Sequence, residues 1–271
     1  MLRRLIRYDM RAISKIAVPI FIASGIISLL CCSVLYFTFG FADHINSSFK
    51  AFMITGGLYL IGLIAIFGML AIVVFAIISR YYSSVFGDEG YLNMVIPVSR
   101  KNLLNSKIIS SVIWFLLAGA VAWVCVVVSL VLPTLLYDMT LVSELVKAVM
   151  SEMAIEKNGV AFGITTVLVK LLISAADAIK DVVVIITAIT LGASVVKQFK
   201  IAFSVLLYFV IVFLEELFVD FVELLVHEIA VNHSWLALVF DSVFELVVIA
   251  AVSVIAYSVT LYTLEKRFNI D

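Results

Sequence analysis

Long apolar runs alternate with short polar stretches along the chain, and the length of each run limits what it can form. A helix needs about 20 apolar residues to cross roughly 30 Å of hydrocarbon. Residues 16–39, 51–78 and 108–136 meet that length, and the second and third exceed it, so they tilt or project beyond the bilayer. Residues 163–196 end in the cleanly apolar DVVVIITAITLGASVV but begin with Lys170, Asp177, Lys180 and Asp181 among apolar neighbours. At about 100° per residue, Lys170, Asp177 and Asp181 share a face, with Lys180 at its edge. This predicts one long fourth helix whose polar half is at the outer surface or faces other helices; a short helix before a conventional span is the alternative. A fifth run starts at Ile201 and stays apolar to Leu214, and a last one covers 244–264. Between them, residues 215–241 are apolar enough to touch lipid but too acidic for an ordinary span, which suits a re-entrant or interfacial hairpin. Because the runs are continuous rather than alternating, a transmembrane barrel is excluded.

Basic residues orient the spans, since cytoplasmic loops carry an excess of Lys and Arg. With six spans one side holds Arg3, Arg4, Arg7, Arg11, Lys15, Arg80, Arg100, Lys101, Lys107, Lys197, Lys200, Lys266 and Arg267. The other side holds Lys50, Lys147 and Lys157, with Lys170 and Lys180 left in the fourth helix. Both termini are therefore expected in the cytoplasm of a multi-pass cell-membrane protein. The basic start, MLRRLIRYDMRAISK, precedes an apolar run too long for a signal peptide and without a small-residue cleavage site, so it is expected to be retained.

Composition agrees. Of 271 residues, 65% are apolar and 14% charged, with a mean hydropathy of +1.24, against about 45–50% and ~25% in soluble domains. A soluble globule of this size could not bury that apolar fraction in one core. The expected fold class is all-α: a single polytopic membrane domain, 1–271, with six transmembrane helices. The net charge of −1 hides no basic domain for nucleic acid. Cys31, Cys32 and Cys125 lie inside apolar runs and read as small packing residues. The chain contains no phosphate-binding G-x-x-x-x-G-K-[ST], no H-E-x-x-H, no G-x-S-x-G and no Gly-rich dinucleotide turn.

Two segments carry candidate chemistry. In LEELFVDFVELLVHEIAVNH, Glu216, Asp220, Glu223 and His227 follow at three- and four-residue steps, so on a helix they share a face beside Glu215. Oxygen and imidazole donors at that spacing could hold a metal, and a membrane hydrolase or protease using Glu215, Glu216, Glu223 and His227 is one alternative. The segment departs from the E-E-x-x-x-R of intramembrane CAAX-type proteases, with Asp220 in the arginine position. The plainer reading is a solvated outer acidic face, and no metal is assigned. The other segment is cytoplasmic: RYYSSVFGDEGYLNMVIPVSRKNLLNSKIISS, residues 80–111. Gly87-Asp88 makes a turn, and Asp88 can cap a short helix presenting Tyr91, Met94 and Val95 on one face. Pro97 interrupts it, and Ser99 can cap the next helix, which takes Arg100, Lys101 and Lys107 into the third span. A surface elbow that snorkels its basic residues is the bland alternative.

On these residues the chain resembles the type-two, export-type ABC-transporter permeases of bacteria, the small six-span proteins that work beside a separate ATPase. The likeness rests on three stretches: the amphipathic opening LRRLIRYDMRAISK; the pattern Asp88-Glu89-Gly90-Tyr91-Leu92, then Ile96-Pro97-Val98-Ser99-Arg100, then Lys107; and ITLGASVVKQFK closing the fourth span. The resemblance implies that residues 80–107 hold a coupling helix that docks on the ATPase, with Asp88, Glu89, Gly90, Tyr91, Leu92, Pro97, Arg100 and Lys107 in that surface. It further implies an amphipathic helix over residues 1–15 lying on the inner membrane face, and short re-entrant helices at 215–241. Separate ABC ATPase chains and a second copy or a homologous permease would be the partners. ATP and magnesium would be bound by the ATPase, leaving this chain without a cofactor or enzymatic activity. An ATPase-independent immunity protein is a further alternative. The substrate class stays open among peptides, lipids and small molecules.

Overall fold

The computed structural model describes residues 2–42, 49–87, 99–137, 143, 147, 160–195, 199–230 and 234–268. The chain is all-helical, with α1 Leu2–Ala42, α2 Phe49–Phe86, α3 Arg100–Tyr137, α4 Val160–Val195, α5 Lys200–Ala230 and α6 Ser234–Phe268. Each includes a stretch long and apolar enough to cross a membrane, so this is a multi-pass helical membrane protein. In hydrocarbon a helix satisfies its own backbone groups, which is why apolar runs of this length adopt no other form.

Two expectations change in detail and an open choice is decided. The opening 1–15 is not a separate surface helix: α1 runs unbroken from Leu2 through the first span, with Pro19 inside it. Residues 2–15 contain no Gly or Pro and many good helix formers, so nothing stops the helix at the apolar boundary. Its amphipathic character survives as a buried stripe, Asp9, Ile13 and Ala17, opposite exposed Arg3, Arg4, Arg7, Arg11 and Lys15. Likewise 215–241 holds no separate re-entrant element among the described residues. α5 continues to Ala230 and α6 begins at Ser234, because LEELFVDFVELLVHEIA lacks a helix breaker and acidic residues do not end a helix by themselves. Residues 163–195 belong to one helix, α4, which decides between the two options for that region.

Packing groups the chain into two compact units whose boundaries fall within α1, α2 and α3 and between residues 157 and 158. One comprises Met10–Ile77 and Trp114–Lys157. Its core is Ile13, Ala17, Val73, Ile77, Trp114 and Ala118, with the Phe21 and Trp114 rings 6.1 Å apart. Beyond this core small residues also bring helices together. Gly62 lies so close to Cys31 that a Cβ there would collide with the Cys31 Sγ, and Cys125 Sγ meets Ser24 Oγ at 3.8 Å. Small residues let membrane helices approach closely, and the three cysteines serve as such packing groups, all of them free and buried.

The other unit comprises Met1–Asp9, Ile78–Ile113 and Asn158–Asp271. Its centre is α4. The most apolar window of α4 is 61% buried, against 22% at most for the other five helices. Val183 and Val184 of α4 and Ala256 of α6 form a core, to which Ile108, Tyr208, Ile211, Val252 and Tyr257 are added from α3, α5 and α6.

Candidate functional site

Both functional candidates fall in the α4-centred unit. The first gathers around Asp9, the one acid of the chain before Asp43. Asp9 is 1% exposed, and its Oδ1 accepts a hydrogen bond from Lys107 Nζ at 2.6 Å. Arg80 Nε lies 3.6 Å from the same oxygen, and the Arg80 guanidinium stacks 5.2 Å from the centroid of the Tyr8 ring. One carboxylate of α1 thus joins the end of α2 to the start of α3. Burying these charges is costly unless they pair, and the sequence supplies a partner from each helix. A hydrogen bond from Arg100 Nη1 at the head of α3 to the Glu265 carbonyl, 3.0 Å, and a longer one to Leu264, 3.5 Å, cap the end of α6, where helix carbonyls lack intrahelical donors. α2 stops at Gly87, where a Cβ would lie 2.7 Å from the Ser83 carbonyl oxygen.

A ladder of hydroxyl contacts continues into the spans. Tyr81 and Thr190 share a hydrogen bond of 2.8 Å between α2 and α4; Thr187 and Thr260 share one of 2.8 Å between α4 and α6. Tyr257 donates to Asn105 Oδ1 at 2.9 Å, between α6 and α3. Beside this last pair lies an open cleft of about 290 Å³, lined by Asn105, Ile108, Val183, Ser253, Val254 and Tyr257 among others.

The second candidate is Lys180. Its ammonium lies 2.6 Å from Asp177 Oδ1, 2.8 Å from Glu215 Oε1 and 3.7 Å from Asp181 Oδ1. Lys180 and Glu215 side chains are 9% and 8% exposed, whereas Asp177 is 45% exposed. Glu215 therefore faces α4, while its neighbours Glu216 and Asp220 are exposed. The described part of the outer acidic face read from the sequence is in this respect two groups: Glu215 turned inward, Glu216 and Asp220 outward. The sequence signal for the pairing was present, because no Lys or Arg occurs between Ile201 and Glu265, so a buried Glu215 must find its cation on another helix.

Of the coupling residues, Asp88, Glu89, Gly90, Tyr91, Leu92 and Pro97 lie outside the described residues. Arg100 and Lys107 are described: Arg100 is half-buried against the end of α6, and Lys107 is buried. Lys107 is 6% exposed and engaged by Asp9. Glu223 and His227 lie on α5, but their side chains are outside the described residues. Among the described residues no three His, Cys, Asp or Glu side chains stand close enough to hold a metal ion. Comparison with protein-family models, with characterised proteins and with solved structures yields no match to this chain.

Proposed function

We propose that the chain is the membrane-spanning permease subunit of an ATP-driven exporter of the ABC type. In this reading it sits in the cell membrane with both termini in the cytoplasm and works with separate ATPase chains and a second copy or a related permease. It moves a peptide, lipid or small molecule outward, and ATP and magnesium belong to the partner. The support from sequence is the 80–107 segment and its likeness to the coupling loop of such permeases. The observation that carries the reading is mechanical: residues on both sides of 88–98 are tied through one buried carboxylate. Arg80 precedes that stretch, Lys107 follows it, and Asp9 of α1 holds both, while Arg100 reaches the last carbonyls of α6. A push on the loop is then carried at once to α1, α2, α3 and α6. A pump needs two states that its energy source contacts differently, and a loop so anchored transmits such a difference without dissipating it in local bending.

The first test is whether a neighbouring reading frame encodes a P-loop ATPase, and the direct one is co-purification of that ATPase with this chain, followed by ATP hydrolysis in lipid. Reversing charge at the loop with Glu89→Lys and Arg100→Glu together is expected to weaken ATPase binding or uncouple hydrolysis while membrane insertion is kept. Exposed charges are individually modest, roughly 0–1 kcal/mol, which is why both are changed. Unaltered ATPase association and transport in the double variant would overturn the coupling role.

A further inference from the structure

The cleft beside the Tyr257–Asn105 pair lies between α3 and α6, with the buried Val183 of α4 as its floor. Its rim is apolar and outward-facing, with Ile109 38% and Val254 65% exposed, so within a bilayer the mouth meets acyl chains. Ser253 adds little polarity, because its hydroxyl bonds the Ile249 carbonyl of its own helix at 2.7 Å. The polar groups sit at one end. Asn105 Oδ1 accepts from the Tyr257 hydroxyl, and the Asn105 Nδ2 donors have no partner among the described residues. An apolar cleft with a free donor at one end is the usual form of a ligand site.

The α3 wall says what the ligand is. Lys101, Asn105, Ile108 and Ile109 follow at three- and four-residue steps and share one face. The order along that face is charge, amide, hydrocarbon. Asn105 lies about 7.5 Å along the axis from Arg100, at ~1.5 Å per residue, and three residues before the apolar run that begins at Ile108. It therefore stands at the boundary of the hydrocarbon, with Lys101 a turn further out. Lys101 is exposed and has no carboxylate partner among the described residues, whereas Arg100 is already engaged by α6 carbonyls. At these ends of α3 and α6, Arg100, Lys101 and Lys266 stand against one described acid, Glu265. The cleft, about 290 Å³, is at the lower limit of small-ligand pockets, roughly 300–1,000 Å³. That is room for part of one acyl chain and too little for a whole lipid.

We propose that this cleft binds an anionic phospholipid. One acyl chain lies between α3 and α6 on Val183, an ester oxygen accepts from Asn105 Nδ2, and Lys101 holds the phosphate. The chemistry selects an amphiphile from both ends. A free phosphate gains nothing from the apolar walls, and a bare hydrocarbon leaves Asn105 and Lys101 unanswered. An anionic headgroup is favoured over a zwitterionic one because no carboxylate competes for Lys101. One basic residue near the membrane surface is worth about a fivefold preference. The inference rests on the membrane placement of the helices and uses nothing from the ATPase-coupling reading, so either can fail alone.

The test is photo-crosslinking of the full chain in phosphatidylcholine nanodiscs. A trace of phosphatidylglycerol or phosphatidylcholine carries a diazirine in one acyl chain, and mass spectrometry maps the labelled residues. Phosphatidylglycerol should label Ile108, Ile109 and Val254 about fivefold more than phosphatidylcholine does. The two lipids should label Ile61 and Ile64, exposed on α2, equally. Lys101→Gln, at an exposed position that spares the fold, should abolish the preference and leave phosphatidylcholine labelling unchanged. Val254→Trp fills the mouth from its lipid-exposed rim and should lower Ile109 labelling by both lipids. Equal labelling of the cleft by the two lipids would mean ordinary surface lipid only and would overturn the proposal. A preference that survives Lys101→Gln, or Ile109 labelling unchanged in Val254→Trp, would overturn it equally.

Discussion

Asp9 shows what one residue does in this chain. It is a lone acid among five basic residues of the opening, and its four-residue spacing to Ile13 and Ala17 marks it for burial. That much is legible in the sequence, although the opening reads there as basic and amphipathic and Asp9 does not stand out. Its partners are not legible, because Lys107 stands 98 positions away and periodicity carries no information across such distances. The consequence is specific. Asp9→Asn leaves Lys107 buried and its charge unanswered, and breaking a buried pair from one side costs about 3–5 kcal/mol. A marked fall in melting temperature in detergent is expected. Pairing Asp9→Leu with Lys107→Met removes both charges and should recover part of that loss, since apolar replacement of a buried pair is often neutral, while Arg80, 3.6 Å from the same oxygen, also loses its carboxylate. A double variant no more stable than Asp9→Asn would mean that these groups do not act as a pair. Lys180 poses the same problem deeper in the span, where the sequence exposes both the lone cation and the cation-free stretch that needs it.

The helices were largely readable as elements, and their ends were not. Six apolar runs gave six helices, because length and hydropathy decide whether a segment crosses a membrane. The acidic 215–230 segment reads as a break by composition yet continues as helix, since helix termination depends on Gly, Pro and capping geometry rather than on polarity. The central place of α4 was also hidden. Its Thr187 and Thr190 look like ordinary β-branched span residues, but they bond Thr260 and Tyr81 across helix boundaries. Both threonines of the α4–α6 pair also bond carbonyls of their own helices, Val183 and Ala256. Replacing one should therefore strand no polar group. Thr187→Val is expected to cost about 0.6–2 kcal/mol, and adding Thr260→Val little more, which a double-mutant cycle by thermal melting would measure. Tyr81→Phe should cost a similar amount, about 1 kcal/mol, by removing the hydroxyl between α2 and α4. Additive losses for the two threonines would show that each acts through its own helix and not through their shared bond.

On the scale of the whole molecule, charge asymmetry and the buried ion pairs point to the same polarity. The basic residues cluster at the start of α1, the end of α2, the start of α3, the α4–α5 connection and the end of α6. The pairs Asp9–Lys107 and Arg100–Glu265 carbonyl join helix ends drawn from that same set. A protein built this way places these helix-end connections on the basic side, the side expected in the cytoplasm. It leaves α5, whose apolar window is 6% buried, the least enclosed of the six. The orientation is the premise on which ATPase coupling depends, because a coupling loop at 88–98 is useful only where ATP is available. Reporters fused after Asp271 should read cytoplasmic, and reporters inserted near Asn46 or Asn158 should read external. Six crossings place both ends on one side, so an external C terminus together with an external Asn46 would require an odd number of crossings. A cytoplasmic reading at Asn46 with an external one in the 88–98 loop would instead invert the whole molecule. It would put the Asp9 anchor on the wrong side for ATP and end the coupling reading.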